Sequence, residues 1–314
     1  MSRGTRQRGV ALLIALLVVA LATVLIAGLV DRGELSAART RNALRAEQAD
    51  AYARGLEAFA AKVLAKDLEQ NTYDAAGDLW SLPMPPTPVP GGTIGAVMRD
   101  MNGCFNLNNL RPGSVTVPQT LWVERFRRLL TALQIDPSLT EVVVDWLDDD
   151  GEPGGGTQGN GAEDSAYAAL EPPYRAANRV FAHVTELRLV QGVTPAIYAK
   201  LAPHVCALPA GSLLNINTAT PAVLRSINER ITDEVAKRLW NEGQARWMSV
   251  DQLFDELAKQ NIFLDPGARP GLDIKSRYFL ARGTLVLDGL TFYPTSLVDR
   301  DAGMRVLQRS RGSD

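Results

Sequence analysis

The densest set of hard oxygen donors in the sequence is Asp145-Trp146-Leu147-Asp148-Asp149-Asp150-Gly151-Glu152, followed by Gly161-Ala162-Glu163-Asp164. Carboxylates in a flexible glycine loop suit Ca²⁺, which takes ~6–8 oxygens at ~2.3–2.6 Å and fills its shell with carbonyls and waters. Asp148 and Asp150 alternate as they do in calcium loops, but Gly159 stands where an EF-hand would need its glutamate. A solvated acidic loop is the alternative, although like charges in one loop repel unless a cation offsets them. Enzymatic chemistry has little to stand on. His183 and His204 are the two histidines, and neither lies in a HExxH or triad-like setting.

The thiols are Cys104 and Cys206. In an oxidising compartment they make one bridge, and two buried free thiols are the alternative. The compartment follows from the N-terminus. Val10 to Val30 carries no charge. As a helix this run spans about 31 Å, which matches a hydrocarbon core of ~30 Å. Arg3, Arg6 and Arg8 precede it without an acid, so residues 1–8 are expected to stay cytoplasmic and the remainder to cross. The helix is expected to continue to about residue 70, since no proline interrupts it and Ala, Leu, Arg and Glu dominate.

Net charge is −2, which gives no basic footprint for nucleic acid. Residues 71–92 are rich in proline and read as a loop. Asn102-Gly103 predicts a hairpin between two short strands over 94–108, and Asp288-Gly289 another, between 278–287 and 290–293. A further strand is expected over 304–308. Trp122, Phe126, Leu129, Leu130 and Leu133 follow a helical period, and Asp136-Pro137 reads as the cap of a second helix. Thr194-Pro195, Thr220-Pro221, Thr232-Asp233 and the capping box Ser249-Val250-Asp251-Gln252 start short helices. Leu187 to Thr194 and Leu214 to Thr220 look like the openings of helix-hairpin-helix units. Residues 187–246 hold seven basic and four acidic side chains, a thin surplus for phosphate. Protein packing is therefore the preferred use, and a membrane-anchored periplasmic DNA-uptake protein is the alternative.

The leader ending in Gly9, followed by Val10 and the apolar helix, resembles the type IV pilin class, in which prepilin peptidase cuts after the glycine. That likeness places the cut between Gly9 and Val10. Most pilins carry glutamate at the fifth mature position, and here that position is Ile14. A carboxylate at bilayer depth costs ~2.5–3.5 kcal/mol unless paired, and a tip subunit has no neighbour above to pair with.

With Gly103, Phe105-Asn106-Leu107-Asn108, Asp145 to Asp148, Gly161 to Asp164, Pro172-Pro173-Tyr174-Arg175, Ala177-Asn178, Glu186-Leu187-Arg188, Gly192-Val193-Thr194 and Asn215 to Thr218 in this order, the chain resembles the K-class minor pseudopilins of the type II secretion system. The resemblance implies an α+β, type IV pilin-like fold, with a long N-terminal helix on a small antiparallel sheet and a large helical domain inserted between strands. The expected divisions are leader 1–9, membrane half 10–30, outer helix 31–70, sheet 71–114 and 266–314, and insertion 115–265. It further implies no catalysis. The expected role is at the pseudopilus tip, nucleating or capping its assembly to drive export of folded proteins across the outer membrane. The implied partners are the I- and J-class pseudopilins, the major pseudopilin, prepilin peptidase and the inner-membrane secretion platform. The implied location is the inner membrane of a Gram-negative bacterium, with a periplasmic head. Asp148, Asp150, Glu163 and Asp164, with Asp145 beside them, become the implied ligands for one or two calcium ions.

Overall fold

The computed structural model describes residues 7–112, 117–154 and 161–312. Residues 1–6 of the expected leader and the 114/115 boundary lie outside them. Helix α1 spans Gln7–Gln70 without a break, about 96 Å at ~1.5 Å per residue. Its apolar first half is long enough to cross a membrane and is buried by nothing. Burial begins at Ala49 and recurs at Leu56, Ala60 and Leu64, one stripe along the helix.

That stripe lies on an antiparallel sheet ordered β1 (Met84–Val89), β2 (Gly92–Asp100), β7 (Tyr278–Leu287), β9 (Thr295–Asp299), β10 (Arg305–Ser310), with β8 (Leu290–Phe292) hairpinned onto β7. β2 and β7 pair from Gly92↔Leu287 to Asp100↔Phe279. Ala49 and Leu56 pack with Ile94, Leu285 and Leu287, while Leu64 packs with Trp80, Phe279 and Val298. The opposite face carries Tyr278 and Leu297 against Cys104, Cys206 and Leu208.

Between neighbours β2 and β7 the chain makes its long excursion. It contains β3 (Phe105–Asn106), α2 (Gln119–Ala132), α3 (Leu139–Asp145), α4 (Asp164–Ala168), α5 (Pro195–Leu201), β4 (Val205–Cys206), β5 (Leu214–Asn215), α6 (Pro221–Ile227), α7 (Asp233–Trp240), α8 (Val250–Lys259) and β6 (Leu272–Asp273). Apart from the two-residue parallel pairs β3–β4 and β5–β6, the regular structure of this insertion is helical. Its separate core is built on Trp122, Phe126, Leu129, Val143, Leu187, Leu224 and Leu253. The expected caps form: the hydroxyls of Thr194, Thr220, Thr232 and Ser249 accept from the amides of Ile197, Val223, Val235 and Gln252.

The insertion leaves the head at a defined end. Gln48 Nε2 donates to Pro90 O at 2.9 Å, so the start of β2 lies beside the middle of α1. The other end of β2, at Asp100, joins Asn215, which also donates to Asp74 O just beyond α1. The excursion therefore begins at the end of the head farthest from the apolar half of α1.

Several local expectations need correction. Asn102-Gly103 makes no hairpin. Asn102 Nδ2 donates to Leu213 O, and its Oδ1 accepts from the amides of Arg277 and Tyr278, so this side chain stitches the insertion to β7 and sends β3 away from β2. The proline-rich stretch expected as loop contains β1, at the sheet edge. Pro85, Pro86 and Pro88 are tolerated there because an edge strand can lack ladder donors. The hairpin partner turn is Pro90-Gly91, with Gly91 at φ +88°. Asp136 Oδ1 accepts from Ser138 N, and α3 begins only at Leu139. β9, at Thr295–Asp299, is a strand beyond those expected, whereas the Asp288-Gly289 turn forms with both residues at positive φ.

Candidate metal centre

Leu139, Val143 and Leu147 bury one face of α3 and its continuation, and Tyr167 is fully buried on α4. Trp146 packs edge-on against Tyr167 with ring centroids 5.2 Å apart. This contact holds the end of α3 beside the start of α4, and the chain on either side of it carries the acids.

Asp148, Asp150 and Glu163 converge there. Each offers an oxygen within 4.8 Å of the others'. Glu163 is buried, and neither of its carboxyl oxygens has a hydrogen-bond partner among the described residues; Asp148 Oδ1 also has none. Burial first, and then the charges of Asp145, Asp148, Asp150 and Asp164, push the Glu163 carboxyl up to about 7. Burial and the charges of Asp150, Asp145 and Asp149 push Asp148 up to about 6. Three convergent carboxylates, two of them with orphaned oxygens among the described residues, are a mismatch that a hard divalent cation removes, since it supplies positive charge and takes oxygen ligands. The donor set therefore fits calcium.

The other two expected ligands stand apart from this group. Asp145 is buried and raised by burial; both of its oxygens accept from Gly154 N at 3.0 Å. A Cβ on Gly154 would fall 2.5 Å from Asp145 Oδ1, and one on Gly161 would clash with Oδ2. Asp145 thus clamps the two ends of the glycine-rich loop, so that Gly154 and Gly161 have a steric role the sequence did not disclose. Asp164 Oδ1 accepts from Ala176 N at 3.0 Å, and its Oδ2 lies 3.8 Å from Arg175 Nε, so it ties α4 to the following turn. Asp149 points elsewhere and receives both bonds from Arg111 Nη2 at 2.8 and 3.0 Å. Loop residues 155–160 lie outside the described residues.

Cys104 and Cys206 are joined, with Cα atoms 5.8 Å apart, and fasten β3 to β4 beneath the sheet. His183 is a cap, accepting from Thr185 N through Nδ1, and His204 Nδ1 pairs with Thr220 Oγ1. Several amides of the hairpin-like turns are engaged within the protein. Gln191 N donates to Tyr167 Oη, Val193 N to Val190 O and Thr194 N to Gly192 O. In the second turn Arg230 N donates to the Asn228 side chain and Ile231 N to Asn228 O. Of the cations near the second turn, Lys237 and Arg225 face Asp233, and Arg230 donates to Phe263 O.

A long N-terminal helix packed along an antiparallel sheet, interrupted by a helical insertion, defines a pilin-like architecture. A family profile described as type II secretion system (T2SS), protein K matches residues 103–210. The chain is 36% identical to the type II secretion system protein K of Pseudomonas aeruginosa, over 99% of this chain and 94% of that one. It is 35% identical to the Aeromonas hydrophila protein of the same name, over 88% of each. Its fold is similar to a chain in the crystal structure of the GspK-GspI-GspJ complex from enterotoxigenic Escherichia coli, with TM-score 0.75 and 27% identity over 88% of this chain and 100% of that one. The chain belongs to the type II secretion system protein K family.

Proposed function

We propose that this chain is a non-enzymatic minor pseudopilin at the tip of the type II secretion pseudopilus. Prepilin peptidase trims it after Gly9 and methylates Val10. The apolar half of α1 then anchors it once in the inner membrane, with the head in the periplasm, among the helices of the I- and J-class subunits and the major pseudopilin. There it nucleates or caps assembly on the inner-membrane platform and so serves export of folded proteins. The observation that carries this reading is the insertion's exit at the membrane-distal end of the head. A bulky domain there leaves no place for a subunit stacked above, in keeping with Ile14 at the position where stacked pilins carry glutamate.

Calcium is held by Asp148, Asp150 and Glu163, with carbonyls and water completing the shell of one ion or two. The ion neutralises the acidic group and stabilises the folded insertion, because it binds the folded state alone. Asp145 and Asp164 hold the backbone around it.

The test is to label the head of the full chain and image pseudopili assembled with its I, J and major partners. Label confined to one end of each filament is the expected result. Label along the filament length would overturn the tip assignment. The amides engaged within both hairpin-like turns give the nucleic-acid reading no support.

A further inference from the structure

Asp67 sits in the last turn of α1 and is 1% exposed. Its Oδ1 accepts from Asn71 Nδ2 at 3.0 Å, and its Oδ2 has no partner. The charged groups facing it are Asp74 and Asp78, from the loop after α1, and Arg300, from beyond β9. That guanidinium is engaged through two of its three nitrogens, and its buried Nε has no partner among the described residues. Arg300 Nη1 and Nη2 both donate to Asp74 at 2.7 Å, and both partners are buried. Asp78 Oδ2 accepts from Ala75 N at 2.7 Å. Deeper in the same joint, Asp100 accepts from Thr218 Oγ1, Ser276 Oγ and Asn215 Nδ2.

A second buried carboxylate beside a pair that is already closed has no cation of its own. It can hold a proton, or it can ionise and strain the packing. Burial first, and then the charges of Asp74 and Asp78, push Asp67 up to about 6, against the partial relief given by Asn71. A polar cleft of about 480 Å³, lined in part by Leu68, Ser276 and Arg300, opens beside this joint.

We propose that Asp67 is the proton-binding element of a latch at the membrane-distal end of α1. With the carboxyl neutral, the last turn of α1 stays seated on residues 71–78 and the Asp74–Arg300 pair. When the proton passes to water, Asp67 adds a third negative charge beside Asp74, which holds Arg300, and Asp78, which has Arg246 nearby, and the joint loosens. Because Asp74 N donates to Ile274 O and Asp74 O accepts from Asn215, the latch governs how firmly α1 grips the insertion.

Amide hydrogen exchange of the full chain in lipid nanodiscs, at fixed calcium, tests this across residues 64–80. After correction for intrinsic rates, opening should increase about tenfold from pH 5 to pH 7.5. Asp67→Asn should remove that dependence and keep the segment protected at pH 7.5. Asp78→Asn removes one repelling charge, so it should move the midpoint to lower pH, and it serves if Asp67→Asn does not fold. A wild-type segment equally protected at both pH values would overturn the latch. So would a pH dependence that survives Asp67→Asn, or a midpoint unmoved by Asp78→Asn.

Discussion

Leu56 of α1 and Gly283 of β7 meet where the helix crosses the sheet. A Cβ at Gly283 would lie 2.5 Å from Leu56 Cδ1 and 3.0 Å from Pro294 Cγ. The missing side chain sets how closely the helix approaches the sheet. Gly283→Ala should destabilise the head by about 1–3 kcal/mol through overpacking. Gly55→Ala, on the exposed side of the same helix with nothing within 4 Å, should stabilise by about 0.5–1 kcal/mol. Denaturant titration of the two variants checks the opposite signs.

Removing calcium should lower the melting temperature of the head. At a free ion concentration of about 100 Kd, binding stabilises by about 2.7 kcal/mol, or roughly 5–10 °C for a domain of this size. Glu163→Gln should abolish the difference between calcium and chelator, while Glu152→Gln, on an exposed residue outside the convergent group, should leave it intact. Thermal melts in the presence and absence of chelator read both.

The same acids set a pH dependence. Glu163 and Asp148 are raised in the folded protein to about 7 and about 6 from 4.5 and 3.8, so the folded state binds their protons more tightly than the unfolded chain. The metal-free head should therefore lose stability as pH rises from about 4 through 7. Calcium affinity should rise over that window, as these carboxyls become available. Melting curves at pH 5 and 7.5, with and without calcium, should show the calcium increment growing with pH; an increment independent of pH would contradict the assignment.

The Cys104–Cys206 bridge closes a loop with a sequence separation of 102 residues. Chain-entropy reasoning gives about 4–5 kcal/mol for such a loop. The double variant Cys104→Ser/Cys206→Ser should lose up to about that much in denaturant titration. Reductant should not act on the native wild type, because both sulfurs belong to buried residues, and should act once denaturant opens the head.

What was legible in the sequence was local. The uninterrupted α1, the threonine and serine caps and the Asp288-Gly289 turn depend on neighbours a few residues away, and they form as read. Asn102-Gly103 carries the same local signal as Asp288-Gly289. Its outcome is decided by Leu213, Arg277 and Tyr278, which no local pattern brings near. The acidic group was legible as a set but not as a geometry. Asp148, Asp150 and Glu163 converge, while Asp164 turns to Arg175 and Ala176, and Asp145 to Gly154. Which carboxylate faces inward is fixed by how α3 and α4 dock through Trp146 and Tyr167, a tertiary contact.

The nine-residue register of β2 against β7, Gly92↔Leu287 through Asp100↔Phe279, also orders events in time. During synthesis β2 appears before the entire insertion, and its central partner only after it. Until Tyr278–Leu287 arrives, β2 has only the proline-bearing β1 beside it, and the apolar stripe of α1 lacks Leu285, Leu287, Phe279 and Val298 to cover it. The insertion, with a core of its own, can consolidate while the first-made part of the chain waits for the last. The head closes from its far end back toward the apolar half of α1.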